Sequence, residues 1–253
     1  MTSLVSIITP NYNSEKFIEQ TLQSIIKQTY KNWELLIVDD CSTDNSVKII
    51  KKYVANDKRI QFYKLKENSG AAVARNKAIE KAAGTFIAFL DSDDLWLPEK
   101  LAKQLAFMID NNYNFTYTSY NLITENDTIL NKDVFCKPKL SYKKMLFSNK
   151  IGCLTAMYNA ANLGKIYMPK IRKRQDYALW LKILKQEKYA YGLPKILASY
   201  RDRSDSISNN KIEMLKWNWY LYRKVEKLPH VKSLFYLLSN ILNKLFNETK
   251  KIF

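Results

Sequence analysis

The sequence predicts an α/β fold with a mixed central sheet and a helical C-terminal extension. Two observations carry this. Over the first hundred residues, short apolar runs alternate with amphipathic helical segments, and each run breaks off into a polar loop. Beyond Pro98 the rhythm becomes irregular, and from about residue 211 it turns helical, basic and aromatic.

The elements follow in order. VSIIT (5–9) is a buried strand that ends at PNYNS; the next helix puts Phe17, Leu22, Ile25 and Ile26 on one face, with Ser14 as its expected N-cap. ELLIV (34–38) is a second strand, stopping at DDCSTDNS before the helical VKIIKKYV. IQFYKL (60–65) is a third. ENSGAAVARNKAIEKAAG predicts a loop and an Ala-rich helix ended by Gly84, and FIAFL (86–90) is a fourth strand. A helix with Leu101, Leu105 and Met108 follows Pro98. NFTYTSYNLI, CLTAMYN and AYGLPKILASY are expected strands of the second half, and RQDYALWLKILKQ is a helix that buries Leu179, Ile183 and Trp180.

Strands joined by helices pair in parallel through right-handed crossovers, and such sheets bind ligands beyond the carboxyl ends of their strands. PNYN, DDCSTD, ENSG and DSDD all follow strand ends, so all four are expected around one crevice.

Composition narrows the chemistry. At 253 residues the chain suits one large domain with an appendage, here residues 1–210 and 211–253. Three scattered cysteines without a CxxC pair support neither a disulfide framework nor a cysteine zinc site, and fit a reducing cytoplasm. His230 is the only histidine, so acid–base work falls to carboxylates. The start lacks the pattern of a signal peptide, and no apolar run approaches the roughly 20 residues that span a bilayer. A formal charge of +17 calls for an anionic partner or is simply a solubilised surface.

Several residues invite a chemical reading beside a plain one. Asp91 and Asp93 could bind a divalent cation, Mg²⁺ or Mn²⁺, or form a solvated acidic loop. Asp39 or Asp40 could accept hydrogen bonds from a base or ribose, or cap the next helix. Arg75 could reach a phosphate or serve the structure, and Asn68, Ser69 and Gly70 offer backbone N–H groups near a helix start. Asp176 is the first carboxylate after ten Lys or Arg between Lys137 and Arg174; it is either a base or a helix-start aspartate.

VSIITPNYN, ELLIVDDCSTDNS, NSGAAVARNKAI, FIAFLDSDDLWLPEKL and RQDYALWLKIL resemble the family 2 glycosyltransferases, which have the GT-A (Rossmann-like, nucleotide-sugar-binding) fold; the ordered set spans roughly residues 4–207. IGCLTAMY and IRKRQDYALWLKIL are similar to bacterial teichuronic acid and capsule-type transferases of cell-surface polysaccharide synthesis. The resemblance implies a nucleotide-sugar donor, usually a UDP-sugar, and inverting transfer to the hydroxyl of a glycan or lipid-linked glycan. It implies that Pro10 and Tyr12 shape the nucleotide pocket and that Asp40, with Asp39, contacts uracil near Gly70 and Arg75. Asp91 and Asp93 match the DxD that holds metal and diphosphate, and Asp176 matches the catalytic base. In YRDRSDSIS many relatives carry His where this chain has Arg203.

Two other classes compete. A phosphatase of the haloacid dehalogenase type would want its DxD at the first strand. A nucleic-acid-binding protein would not line its cleft with acidic loops, so no nucleic acid is expected. Residues 211–253 hold nine Lys or Arg against three Glu, with Trp217, Trp219, Tyr220, Tyr222 and the run SLFYLLSNILNKLF among them. This pattern predicts helices lying on an anionic membrane surface, at the inner face of the cell membrane, or packed on the catalytic domain or a second copy.

Overall fold

A computed structural model describes residues 3–203 and 211–249. The first half alternates strand and helix: β1 (Val5–Asn11), α1 (Ile18–Ile26), β2 (Trp33–Asp39), α2 (Ser46–Asn56), β3 (Ile60–Lys64), α3 (Ala71–Lys81) and β4 (Phe86–Phe89). The second half holds β5 (Leu95–Trp96), α4 (Lys100–Asp110), β6 (Phe115–Ile123), β7 (Ile129–Val134), β8 (Lys139–Leu140) and α5 (Tyr142–Phe147). Then come β9 (Met157–Asn159), α6 (Ala160–Leu163), α7 (Gln175–Gln186), β10 (Ala190–Arg201), α8 (Lys211–Tyr220) and α9 (His230–Thr249).

These strands form one mixed sheet in the order β3-β2-β1-β4-β9-β6-β10-β5, with β7 on β6 and β8 on β10. The pairs β3-β2, β2-β1 and β1-β4 are parallel, whereas β9 runs antiparallel to both β4 and β6. The chain leaves β1 toward β2 and β3, then returns to place β4 on the other side of β1. That reversal is a topological switch point, where a parallel sheet opens a crevice at its carboxyl edge.

Every residue of β1 and β2 is buried, which explains why these strands are continuous apolar runs. Alternate side chains enter opposite cores. Val5, Ile7, Leu35, Ile37, Phe86 and Ala88 meet Leu22, Ile25, Leu101 and Met108 of α1 and α4. On the other face, Ile8, Leu36, Val38, Ile87 and Phe89 pack with α3 and with Leu179, Trp180 and Ile183 of α7.

Some local expectations change. Ser14 does not cap α1: Phe17 stands at that position, and the Ser14 hydroxyl donates instead to Asn11 Oδ1, while the Ser14 carbonyl accepts from the N–H of Phe17 and Ile18. Ile26 is only partly buried. CLTAMYN splits into a 3₁₀ turn, Cys153–Thr155, and the short β9. Gly84 is no left-handed cap, because α3 ends at Ala82 in extended conformation. Gly84 instead lets the chain enter β4 beside β1, its N–H donating to Ser6 Oγ at 2.8 Å. A Cβ there would lie 2.7 Å from Ser6 N and 2.8 Å from Leu4 O, both backbone atoms that cannot swing aside.

The boundary expected at residue 210 falls in 204–210, outside the described residues. Beyond it, α8 continues into a π-helical turn, Leu221–Val225, and α9 follows after a short non-helical link over 226–229. Tyr222, expected among interfacial aromatics, is fully buried, as is Leu221. The Tyr222 hydroxyl donates to Leu146 O at 2.7 Å and accepts from Asn240 Nδ2 at 2.7 Å, so the last two helices lock onto α5. No helix among the described residues is long and apolar enough to cross a membrane.

The end of β10 fixes the loop after β4. Arg201 is fully buried, and its Nε donates to Asp93 O at 2.8 Å. Its Nη1 donates to Thr124 O, Glu125 O and Asp127 Oδ1, its Nη2 to Gln20 Oε1, and its backbone N–H to Asp94 Oδ1 at 2.9 Å. Burial and the nearby Asp93 and Asp91 charges push the Asp94 carboxyl well above the usual carboxylate range, against which the Arg201 N–H and guanidinium act.

Two stability effects are expected. Gly84→Ala should destabilise by about 1–3 kcal/mol, the cost of forcing a methyl into a closed contact, read as a lower denaturant midpoint with unchanged slope. Arg201→Ala leaves Asp94 buried beside Asp93 and Asp91 without its cation, and should cost about 3–5 kcal/mol in the same measurement.

Candidate active site

The site grows from four strand-end loops. After β1, the Asn11 side chain is buried, and its Nδ2 donates to Asp39 Oδ1 at 2.7 Å and also to Ser42 and Ser46. Asp39 further accepts from the Ser42 hydroxyl at 2.5 Å and the Ser42 N–H at 3.1 Å. Its carboxylate therefore faces inward and fastens the second loop to the first. Pro10 lies within β1, opposite Val38, and Tyr12 at the rim is 51% exposed.

Asp40 turns to the third loop. Its Oδ1 accepts from Ser69 N at 2.7 Å and its Oδ2 from Gly70 N at 2.8 Å. The backbone donors expected to greet a ligand are thus given to this carboxylate. Gly70 has φ +89, a conformation glycine adopts without strain, and a Cβ there would meet nothing within 4 Å. Its need is conformational rather than steric. Cys41, next to Asp40, is also left-handed at φ 65, a strained choice for a cysteine of the kind that clusters at functional sites.

Gly70 opens α3, and α3 brings Arg75 to the fourth loop. Arg75 is buried, and its Nη2 donates to Asp91 Oδ1 at 2.5 Å. Its Nε and Nη1 are buried with no hydrogen-bond partner among the described residues. Burial alone would lower the Arg75 pKa, but the Asp91 carboxylate, the Cys153 thiol and Asp176 hold it above its ordinary value.

Asp93 accepts from Arg203 Nη1 at 2.8 Å, and the Arg203 guanidinium lies 4.9 Å from the centre of the Phe17 ring. Burial and the Asp91 charge raise the Asp93 carboxyl above the usual range, partly offset by Arg203. Arg203 also lines a cleft of about 400 Å³ with Asn13, Lys16, Phe17, Asp44 and Glu125.

Asp176 is the second residue of α7, in the first turn, where the helix presents its positive end. Arg174 precedes the helix in the left-handed region at φ 65. The Asp176 Oδ2 receives a long hydrogen bond of 3.5 Å from Asn149 Nδ2. The charges of Asp176 and Asp91 both bear on Arg75 and on the partly buried Cys153, raising the pKa of each.

Sequence reasoning missed three contributors. Arg201 shapes the acidic loop, and only its neighbour Arg203 was singled out. Cys153 feels the charges of Arg75, Asp91 and Asp176, and Asn149 donates to Asp176. No local pattern marks any of them, since each acts across more than 20 positions of chain.

Asp91 and Asp93 are the residues that could hold a divalent cation. Their hard oxygen donors suit Mg²⁺ or Mn²⁺. Among the described residues no group of three His, Cys, Asp or Glu could hold a metal by itself, so further oxygens would come from a bound diphosphate and water. The unmet N–H groups of Arg75 fit an anionic ligand at the same place.

Comparison with known proteins identifies the family. Residues 6–161 match the model of the family described as Glycosyl transferase family 2. The chain is 47% identical over 230 residues to TuaG of Bacillus subtilis, a glycosyltransferase assigned to teichuronic acid biosynthesis, covering 91% of each chain. It is 41% identical over 240 residues to the UDP-Glc:alpha-D-GlcNAc-diphosphoundecaprenol beta-1,3-glucosyltransferase WfgD of Escherichia coli, covering 94% of this chain and 92% of that protein. Among solved structures, S. aureus TarS in complex with UDP-GlcNAc shares the fold with a TM-score of 0.70 at 23% identity, over 95% of this chain and 72% of that one. With a strand-end DxD at the switch point of a GT-A sheet and these relatives over nearly its whole length, the chain belongs to glycosyl transferase family 2.

Proposed function

We propose that this protein is an inverting, metal-dependent glycosyltransferase that moves a sugar from a UDP-sugar to a hydroxyl of a lipid-linked glycan in cell-surface polysaccharide synthesis. Residues 1–210 form its catalytic domain, and 211–253 are an appended helical extension. The observation that carries this reading is the grouping of Asp91, Asp93 and the half-satisfied, buried Arg75 around the switch-point crevice, with the charge of Asp176 on α7 felt by the same arginine. The relatives support the donor and acceptor: the name of the E. coli protein gives UDP-Glc as donor and a diphosphoundecaprenol-linked GlcNAc as acceptor.

Each residue has a task in this reading. Tyr12, exposed at the rim beside Pro10, offers a ring to the base of the nucleotide. Asp39 and Asp40 hold the floor of that pocket. Both oxygens of Asp40 already accept from Ser69 and Gly70, so a uracil N–H would use a remaining lone pair. Arg75 and Arg203 present cationic groups to the diphosphate, and Asp91 and Asp93 hold the metal. The metal would stabilise the negative charge that gathers on the departing nucleoside diphosphate.

Asp176 takes the proton from the acceptor hydroxyl as its oxygen attacks the anomeric carbon opposite the leaving group. The carbon–oxygen bond to the diphosphate breaks as the new glycosidic bond forms, and the anomeric configuration inverts. One carboxylate base suffices, in keeping with a chain that carries a single histidine.

Asp93→Ala should abolish transfer and remove the metal dependence of UDP binding measured by calorimetry. Unchanged turnover with unchanged metal dependence would reject the assignment. Asp176→Asn keeps the shape but cannot accept a proton; turnover should fall by roughly 10²–10⁴-fold while UDP binding persists. If that variant transfers sugar at the normal rate to a lipid-linked acceptor, another residue is the base.

A further inference from the structure

Helix α9 has two apolar faces, and the protein covers only one. Ser233, Tyr236, Leu237 and Asn240 lie on the inner side: Ser233 and Asn240 are buried, and Tyr236 and Leu237 pack on the core. Val231, Leu234, Phe235, Leu238 and Leu242 recur at helical spacing on the outer side, and each is at least half exposed. With 3.6 residues per turn, the centres of the two sets lie about 165° apart. A contiguous exposed apolar stripe of this kind marks an interaction surface.

The ground beside the stripe is basic. Phe147, at the end of α5, meets Phe235 edge to face, with ring centroids 5.8 Å apart. Phe147 also lines a groove of about 430 Å³ whose wall carries Lys137, Lys139, Lys144 and Lys150. From Lys137 through Arg174 the chain has ten Lys or Arg and no Asp or Glu, so no acid from this segment neutralises the groove. Asn149, next to Lys150, is the residue that donates to Asp176.

We propose that the outer face of α9 and this lysine groove dock the protein on an anionic lipid bilayer. The stripe seats among the upper acyl segments, and the four lysines meet lipid phosphates. Charge complementarity selects this occupant. An apolar stripe flanked by lysines matches a surface that offers hydrocarbon and phosphate within one helix diameter. A second copy would bring the same lysines against these, and like charges oppose that contact. The inference rests on the transferase reading only for its purpose: docking would bring Asp176 to a lipid-borne acceptor. It also narrows the expected anchor within residues 211–253 to the outer side of α9, since Tyr222 is buried.

The test is vesicle sedimentation of the full-length protein and two double variants, with circular dichroism to verify folding. Leu234→Glu with Leu238→Glu alters only exposed positions of the stripe, and Lys144→Glu with Lys150→Glu alters only the groove. The unaltered protein should sediment with phosphatidylglycerol vesicles and not with phosphatidylcholine vesicles. The stripe variant should lose binding at every salt concentration. The groove variant should lose about fivefold in partitioning for each lysine removed, with a weaker salt dependence. Hydrolysis of the UDP-sugar donor should be unchanged in both, so a docking failure with intact hydrolysis overturns the docking alone. The proposal is overturned if the unaltered protein ignores anionic vesicles or if the folded stripe variant binds them equally well. It is also overturned if sedimentation velocity shows a dimer that the stripe variant dissolves, since the face would then belong to a second copy.

Discussion

One buried guanidinium, that of Arg201, sets the shape of the acidic loop and with it the geometry of the whole crevice. It sits at the last residue of β10, yet it holds the backbone of Asp93, the turn after β6 and the side chain of Gln20 on α1. Its own N–H fixes Asp94. A planar group with five donors can satisfy carbonyls in several directions at once, which a lysine cannot. The family's first-half motifs are therefore completed by a residue more than a hundred positions downstream. The short β5, paired antiparallel to β10, repeats the same tie through the backbone.

Around that tie the site manages a dense set of like charges. Asp91, Asp93 and Asp94 fall within four consecutive positions, and each has a cationic neighbour: Arg75, Arg203 and Arg201 in turn. Asp94 is spent on structure, while Asp91 and Asp93 keep part of their surface open. Arg75 makes one ion pair and leaves two donors unmet, an expensive state for a buried group unless a ligand answers it. Arg203 brings a permanent positive charge to Asp93.

The C-terminal helices show how one amphipathic reading can hold two answers. Their inner face belongs to the core through Leu221, Tyr222 and Asn240. Their outer face remains apolar, next to a groove of lysines. Packing on the catalytic domain and presenting a surface are therefore not alternatives, because opposite sides of α9 do each.

The sequence by itself determined the alternation of strands and helices, since runs such as ELLIV, buried on both faces, admit no other period. It also determined that four polar loops follow strand ends, and it pointed to Asp91, Asp93 and Asp176 through local chemistry. What only the tertiary structure decided is what each polar atom faces. Asp39 and Asp40 are neighbours in a DD pair, yet one turns inward to Asn11 and the other to the amides of Ser69 and Gly70. Ser14 and Gly84 carry the residue types of helix caps, but close contacts with Asn11 and Ser6 claim them. Tyr222 is aromatic in a basic tail and lies in the core. Local pattern encodes period and propensity, which act within a few residues. Hydrogen-bond partners, the burial of a charge and the covered side of a helix are set by elements that meet across tens to hundreds of positions, and no short stretch contains them.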